Sequence, residues 1–266
     1  IFARGLQAFQ EELGRSGITL LGASSSYSPE LEEEQIRSLV ARGADALLLI
    51  GHDRTPQSYA FLEQRRIPYV VAWVHDAAEK RVSIGFDNRA AMKALAMEVI
   101  ALGHRHLGLI TADRSGNDRA RARSEGVIAA MRDCGRAPDS LAGAEANYSI
   151  ANGAEGFRAL MQAEVPPTAV LCGNDVLAVG ALLEAKRLGL RVPEDVSITG
   201  FDDIEIAEIV SPSLTTVHVP HREMGRGAAR LLLALRSGET SVASRELEAT
   251  VKWREWHGPV PHMEAR

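Results

Sequence analysis

Only two cysteines, Cys134 and Cys172, occur in the 266 residues, and they lie too far apart for a metal-ligand pair or a redox motif. A disulfide framework is excluded, and a reducing cytoplasm is the expected setting. Positive charge is also short: 30 Lys and Arg stand against 35 Asp and Glu, a net charge of −5. Neutralising DNA phosphates needs clustered cations, so this chain is not expected to grip nucleic acid by itself. No apolar run approaches the roughly 20 residues of a membrane span, and the opening IFARGLQAFQEEL is amphipathic rather than a secretory signal. No phosphate-binding loop, nucleophile elbow or dinucleotide fingerprint is present. GRGAAR at 225–230 departs from the last of these at its final position and follows no strand. His104 and His106 are close in sequence but have no acidic or cysteine companions, so a structural role is expected for them and no metal or cofactor.

What is present is alternation. Short apolar runs, ITLLGA, ADALLLI, PYVVAW, VSIG, HLGLIT, TAVLC and VSITGF, take turns with helical patterns. Phe2, Leu6, Phe9 and Leu13 form one helical stripe, and Ala91, Leu95, Val99 and Leu102 form another. Gly43, Gly103, Gly135 and Gly189 stand just past helical patterns, where a positive φ favours glycine. A late helix, HREMGRGAARLLLALRSGE, and a strand-like LEATVKWREW come after them. The pattern predicts an α/β protein with parallel sheets, and the length favours two lobes over one core. The chain opens inside a helix, without the strand that normally starts a βα series; either such a strand precedes residue 1, which is the favoured expectation, or the first lobe's sheet is one strand short.

Ligands of open α/β sheets bind at the carboxyl ends of the strands, so polar residues there are the candidates. VSITGF runs into Asp202 and Asp203. Asn174 follows TAVLC and a glycine and opens a helix; it suits an N-cap, and the same position also faces the sheet edge. Asp118 is a plausible N-cap, followed by Arg119, Arg121 and Arg123 in the first turns, where the helix dipole opposes cations unless carboxylates or anions compensate. Arg121 is expected on a solvated face with Glu125. Arg123 continues into an apolar stripe, which puts its guanidinium at the edge of the core, ready for a hydroxyl pair or a carboxylate. Trp73 ends the PYVVAW strand and Tyr148 precedes a helix. Either ring is a core residue or a flat face for a sugar or base.

The stretches DNRAAMKALAMEVIALGHRHLGLIT, RARSEGVIAAM, MGRGAARLLLAL and above all PPTAVLCGNDVLAVGALLEAKRLGLRVPEDVSITGFDDIEIAEIVSPSLTTV resemble the effector-binding region of the LacI/GalR family of bacterial transcription regulators. The resemblance spans almost the whole chain. It implies a fold like that of periplasmic binding proteins, with two Rossmann-like lobes, three crossovers and an effector in the interlobe cleft. The crossovers would fall near Leu102–Gly103, His218–Pro220 and Ser241–Ala243, giving lobes of 1–102 with 219–242 and 103–218 with 243–266. By the same likeness Arg123, Asn174 and Asp202 contact the effector; from their own chemistry Trp73 and Tyr148 are candidates to cover a ring face, and Asp203 is expected to cap the short helix that comes after it. Trp73 stands where some sugar-responsive members carry an acid. The implied function is non-enzymatic: a cytoplasmic homodimer that senses a small molecule, expected to be a sugar or sugar derivative, and controls operator DNA through an N-terminal helix-turn-helix headpiece absent from these residues. A solute-binding protein of a sugar transporter is the alternative.

Overall fold

The computed structural model describes residues 2–256 and 258–259. In chain order the elements are α1 (Ala3–Gly14), α2 (Pro29–Ala41), β1 (Leu47–Ile50), α3 (Pro56–Gln64), β2 (Tyr69–Ala72), β3 (Ser83–Gly85), α4 (Asn88–Ala101), β4 (Leu107–Thr111) and α5 (Asp118–Asp133). They continue with β5 (Ala142–Glu145), α6 (Ile150–Met161), β6 (Ala169–Cys172), α7 (Asp175–Arg187), β7 (Ser197–Thr199), α8 (Ile206–Ile209), β8 (Thr216–His218), α9 (His221–Arg236), β9 (Arg245–Glu246) and β10 (Thr250–Lys252).

Local chemistry starts the helices. Ser28, Thr55, Ser149 and Asn174 each accept a hydrogen bond from an amide in the first turn of α2, α3, α6 and α7, satisfying donors the helix itself leaves open. Gly43, Gly103, Gly135 and Gly189 all have positive φ, as expected of glycines that stand just past a helix.

Contacts divide the chain into two compact units. Unit 1 comprises Ile1–Asp87, Ser115–Arg119 and Pro220–Glu248; unit 2 comprises Asn88–Arg114, Ala120–Val219 and Ala249–Arg266. Ile1, His257 and residues 260–266, which the expected lobe ranges take in, lie outside the described residues. The division differs from the expected one. The first boundary moves from 102/103 to 87/88, because α4 packs against β8 and β10 of unit 2, and the last moves from 242/243 to 248/249.

Unit 1 holds a parallel sheet in the order β1-β2-β3-β9. Ile36, Leu47, Leu49 and Leu62 form a buried cluster beside it. Unit 2 holds a parallel sheet in the order β5-β4-β6-β7, and a separate antiparallel pair in which Val251 of β10 faces Val217 of β8. Phe157, Val170, Leu177, Ile198 and Trp256 are among the residues of its core. Burying each large apolar side chain stabilises the fold by about 1.5–3 kcal/mol.

Three strand expectations change. ITLLGA is not a strand: it has no ladder partner among the described residues, and with β1 it lines a cavity of about 280 Å³. A strand is defined by its neighbour, which an apolar run alone does not supply. The run LEATVKWREW contributes only β10, and β9 just before it pairs with β3 in unit 1. In the other direction, β5 (AGAE) is a strand with only a weak apolar signal, recruited by β4 at the sheet edge.

Candidate functional site

Three strands of unit 2 end side by side: β4 at Thr111, β6 at Cys172 and β7 at Thr199. The residues at and just beyond these ends are polar and buried. After β6 comes Gly173 and then Asn174, whose Oδ1 accepts from Leu177 N at 2.9 Å and caps α7. Asn174 therefore is the N-cap expected from its position, but its Nδ2 is buried with no hydrogen-bond partner among the described residues. An unmet buried donor is costly, by about 1–3 kcal/mol. Thr111 Oγ1 and Thr199 Oγ1 are likewise buried without a partner among the described residues.

Arg123 reaches this edge from α5 and is 6% exposed. Its Nε donates to Asn88 Oδ1 at 2.9 Å, one terminal nitrogen donates to the Gly173 carbonyl at 2.6 Å, and the other meets Asp202 Oδ1 at 3.4 Å. The guanidinium lies 3.7 Å from the centroid of the Phe201 ring, a cation–π contact worth about 2 kcal/mol or more when desolvated. The separation from Asp202 is long for a charge-assisted bond, which normally closes to about 2.7–2.9 Å. Arg123 is thus fixed firmly on two sides and loosely on the side of the acid.

Asp202 is 1% exposed. Its φ is 106° and that of Asp203 is 53°, both in the region that favours glycine, at a cost of about 1–3 kcal/mol each. The turn is held against β8 by bonds from Gly200 N to Thr215 O and from Asp202 N to Val217 O, each 2.9 Å. Asp203 is not the cap of α8 that its position before a short helix suggests. Asp203 Oδ2 meets His218 Nδ1 at 2.8 Å and Oδ1 lies 2.8 Å from Arg254. The amide of Ile204 instead donates to Asp175 Oδ2 at 2.8 Å. Burial, and after it the negative charge of Asp202, pushes the carboxyl of Asp175 well above the ordinary carboxylate range.

Arg123, Asp202 and the Gly173–Asn174 junction are therefore brought together. The two aromatic candidates have surroundings of their own. Trp73 belongs to the core of unit 1, 1% exposed, with its indole N–H donating to His221 Nδ1 at 3.1 Å and its ring edge-on to Phe2. That burial leaves it no face for a ligand, and the expectation that it covers a ring is corrected. Tyr148 is partly buried and packs against the core cluster of unit 2. Arg119 finds its compensating carboxylate in Asp118, at 2.7 Å, and Asp118 also accepts from the amide of His52. Asp118 Oδ1 accepts from Arg119 N rather than from an amide deeper in the first turn. Arg121 donates to the Arg114 carbonyl at 2.8 Å.

His104 is structural: its ring nitrogens bond Thr168 Oγ1 at 2.9 Å and the Gly258 carbonyl at 2.8 Å, and burial lowers its pKa. No group of His, Cys, Asp or Glu among the described residues is disposed to hold a metal, and no described helix is long and apolar enough to cross a membrane. Sequence reasoning missed Asn88, Phe201 and Asp175. Asn88 opens α4 and Asp175 opens α7; a polar residue at a strand-to-helix junction was the signal available for both.

Residues 96–255 match the family model described as a periplasmic binding protein-like domain. The HTH-type transcriptional regulator GntR of Escherichia coli (strain K12) is 32% identical over 240 residues, spanning 90% of this chain and 72% of that protein. The solved transcription regulator GntR from Chromobacterium violaceum is similar at a TM-score of 0.88 and 28% identity, over 96% of this chain and 94% of that one. A complex of the transcriptional regulator CelR with cellobiose gives a TM-score of 0.83 at 25% identity, over 96% of this chain and 78% of that one.

Proposed function

Because the chain belongs to the LacI/GalR family of bacterial transcription regulators and forms an effector-binding region, we propose that it senses a sugar or sugar derivative through the Arg123–Asn174–Asp202 edge of unit 2. The observation that carries the reading is the unmet Asn174 Nδ2 donor, one residue from the carbonyl that holds Arg123, with Asp202 loosely paired at 3.4 Å. Two donors and an acceptor at one edge suit the hydroxyls of a polyhydroxylated ligand. The cellobiose bound by a protein of the same fold supports the class. Trp73 has no part in the reading.

The ligand acts by differential affinity for two states of the protein, which shifts their populations and so the occupancy of operator DNA. A net charge of −5 does not favour phosphate contacts by the chain, and a helix-turn-helix segment outside these residues would supply them. Half-sites related by two-fold symmetry call for a homodimer. Light scattering on the full-length protein checks the dimer, and a monomer at tens of micromolar contradicts it.

A thermal-shift screen of sugars, sugar acids, polyols and nucleobases tests the ligand class. A hit is expected to stabilise the wild type by about 2.7 kcal/mol at a concentration of 100 Kd, and to lose most of that effect in Arg123→Ala. Where Arg123→Ala does not fold, Asn174→Ala takes its place. A hit that stabilises wild type and variant equally shows that the edge is not the binding site, and a nucleobase hit replaces the sugar.

A further inference from the structure

Behind the candidate ligand face lies an acid that this reading does not use. Asp175 is fully buried at the start of α7, and both of its carboxyl oxygens are engaged. Oδ2 accepts from the Ile204 amide at 2.8 Å, just past the Asp202–Asp203 turn, and Oδ1 is 2.5 Å from the Thr216 hydroxyl in β8. The Asp175 amide donates to the Phe201 carbonyl at 2.9 Å, on the near side of the same turn. A Cβ on Gly200 would lie 2.2 Å from Asp175 Oδ1, so the carboxyl fits against the turn only because residue 200 has no side chain. Two consecutive non-glycine residues in the left-handed region persist only where the surroundings over-determine them, and Asp175 bonds the turn on both sides while reaching the strand beside it.

We propose that Asp175 is a positioning residue for the ligand face: it ties the 200–204 turn to β8 and thereby sets Asp202 opposite Arg123. This inference rests on the reading that Asp202 faces the ligand, but it concerns geometry present without any ligand. The neighbours agree with a protonated acid in this role. Burial, then Asp202 and to a lesser degree Asp203, raise the pKa of Asp175, while Thr216 and the Ile204 amide oppose them. The other titrating neighbour, Cys172 at the end of β6, is itself shifted upward by burial and by Asp175, so it brings no negative charge. The Thr216 hydroxyl donates to Oδ1 and the Ile204 amide to Oδ2; a protonated carboxyl keeps both contacts with the hydroxyl accepting instead. An asparagine amide can make the same two bonds, whereas an alanine makes neither.

The experiment needs no ligand, so a negative sugar screen and a failure here are separate results. Amide hydrogen exchange and a carboxyl ¹³C titration of Asp202 are measured on the whole chain for wild type, Asp175→Asn, Asp175→Ala and Thr216→Val. In Asp175→Ala the Asp202 and Ile204 amides are expected to exchange about tenfold faster relative to Leu171 in β6. The Asp202 midpoint is expected to rise as its carboxylate leaves the guanidinium of Arg123. Asp175→Asn should restore both readouts to wild type. Thr216→Val, which removes one of the two anchors, should speed Asp202 exchange by about threefold, and it decides the matter if Asp175→Ala does not fold. An Asp202 amide and midpoint unchanged in the alanine variant, or equally disturbed in the asparagine variant, overturns the proposal, as does an unchanged exchange rate in Thr216→Val.

Discussion

Unit 1 and unit 2 end their central strands in opposite ways. After β2 of unit 1 the chain places Trp73, with a φ of 63°, and buries it against Phe2 and His221. After β6 and β7 of unit 2 it places Asn174 and Asp202, and buries them with Arg123. Both arrangements hold a residue in a constrained place, but they differ in what they leave open. An apolar ring enclosed in the core with its one N–H bonded is complete. A guanidinium bonded to Asn88 and Gly173 yet 3.4 Å from its acid, beside a buried amide nitrogen without a partner among the described residues, is not. Incomplete polar satisfaction, rather than the presence of an aromatic residue, separates the candidate site from the scaffold.

The contrast breaks most sharply under truncation. Trp73→Ala is expected to cost about 3–5 kcal/mol of stability through the cavity it leaves, with ligand affinity per folded molecule unchanged. Arg123→Ala is expected to cost about 3–5 kcal/mol as well, because Asp202 would be left as a buried charge without its cation, but ligand binding should be lost along with it. Denaturant unfolding and calorimetric binding on the two variants separate these outcomes; equal loss of binding in both removes the distinction between the units. Asn174→Ala is milder. The missing cap on α7 costs about 1 kcal/mol, partly offset because the unmet Nδ2 donor goes with it, so the net stability change should be smaller than for an ordinary cap.

The smallest effect is that of pH. His104 of unit 2 has its folded pKa lowered by burial, so the unfolded chain binds a proton first as pH falls. Stability from this residue is full above the unfolded value near 6.5 and is lost progressively as pH drops toward the folded pKa. Asp175 runs the other way. Its folded pKa is raised, so the native state holds a proton that the unfolded chain releases, and its contribution declines as pH rises above about 3.9. Asp175→Asn should therefore flatten the fall in stability from acidic toward neutral pH, and His104→Gln the fall below about pH 6.5, in unfolding curves taken across that range. A wild-type profile retained in both variants would place the titrating groups elsewhere.

The local features were legible in the sequence because their causes are local. The helix start at Asn174 arises from an oxygen that reaches an amide three residues on, and positive φ at four glycines arises from the missing Cβ. The alternation of apolar runs with 3.6-residue stripes set the α/β class, Asn174 and Asp202 stood out as polar groups where strands end, and Arg123 as a cation early in a helix that continues into an apolar stripe. Tertiary structure alone decided the rest, since the deciding partner is remote in the chain. Trp73 is enclosed by His221, 148 residues away; Asp203 turns to His218 rather than to α8; and Asp175 engages Thr216, 41 residues on. ITLLGA stays unpaired among the described residues while the weakly apolar AGAE becomes β5, because a strand exists only when another backbone stands beside it to complete its hydrogen bonds.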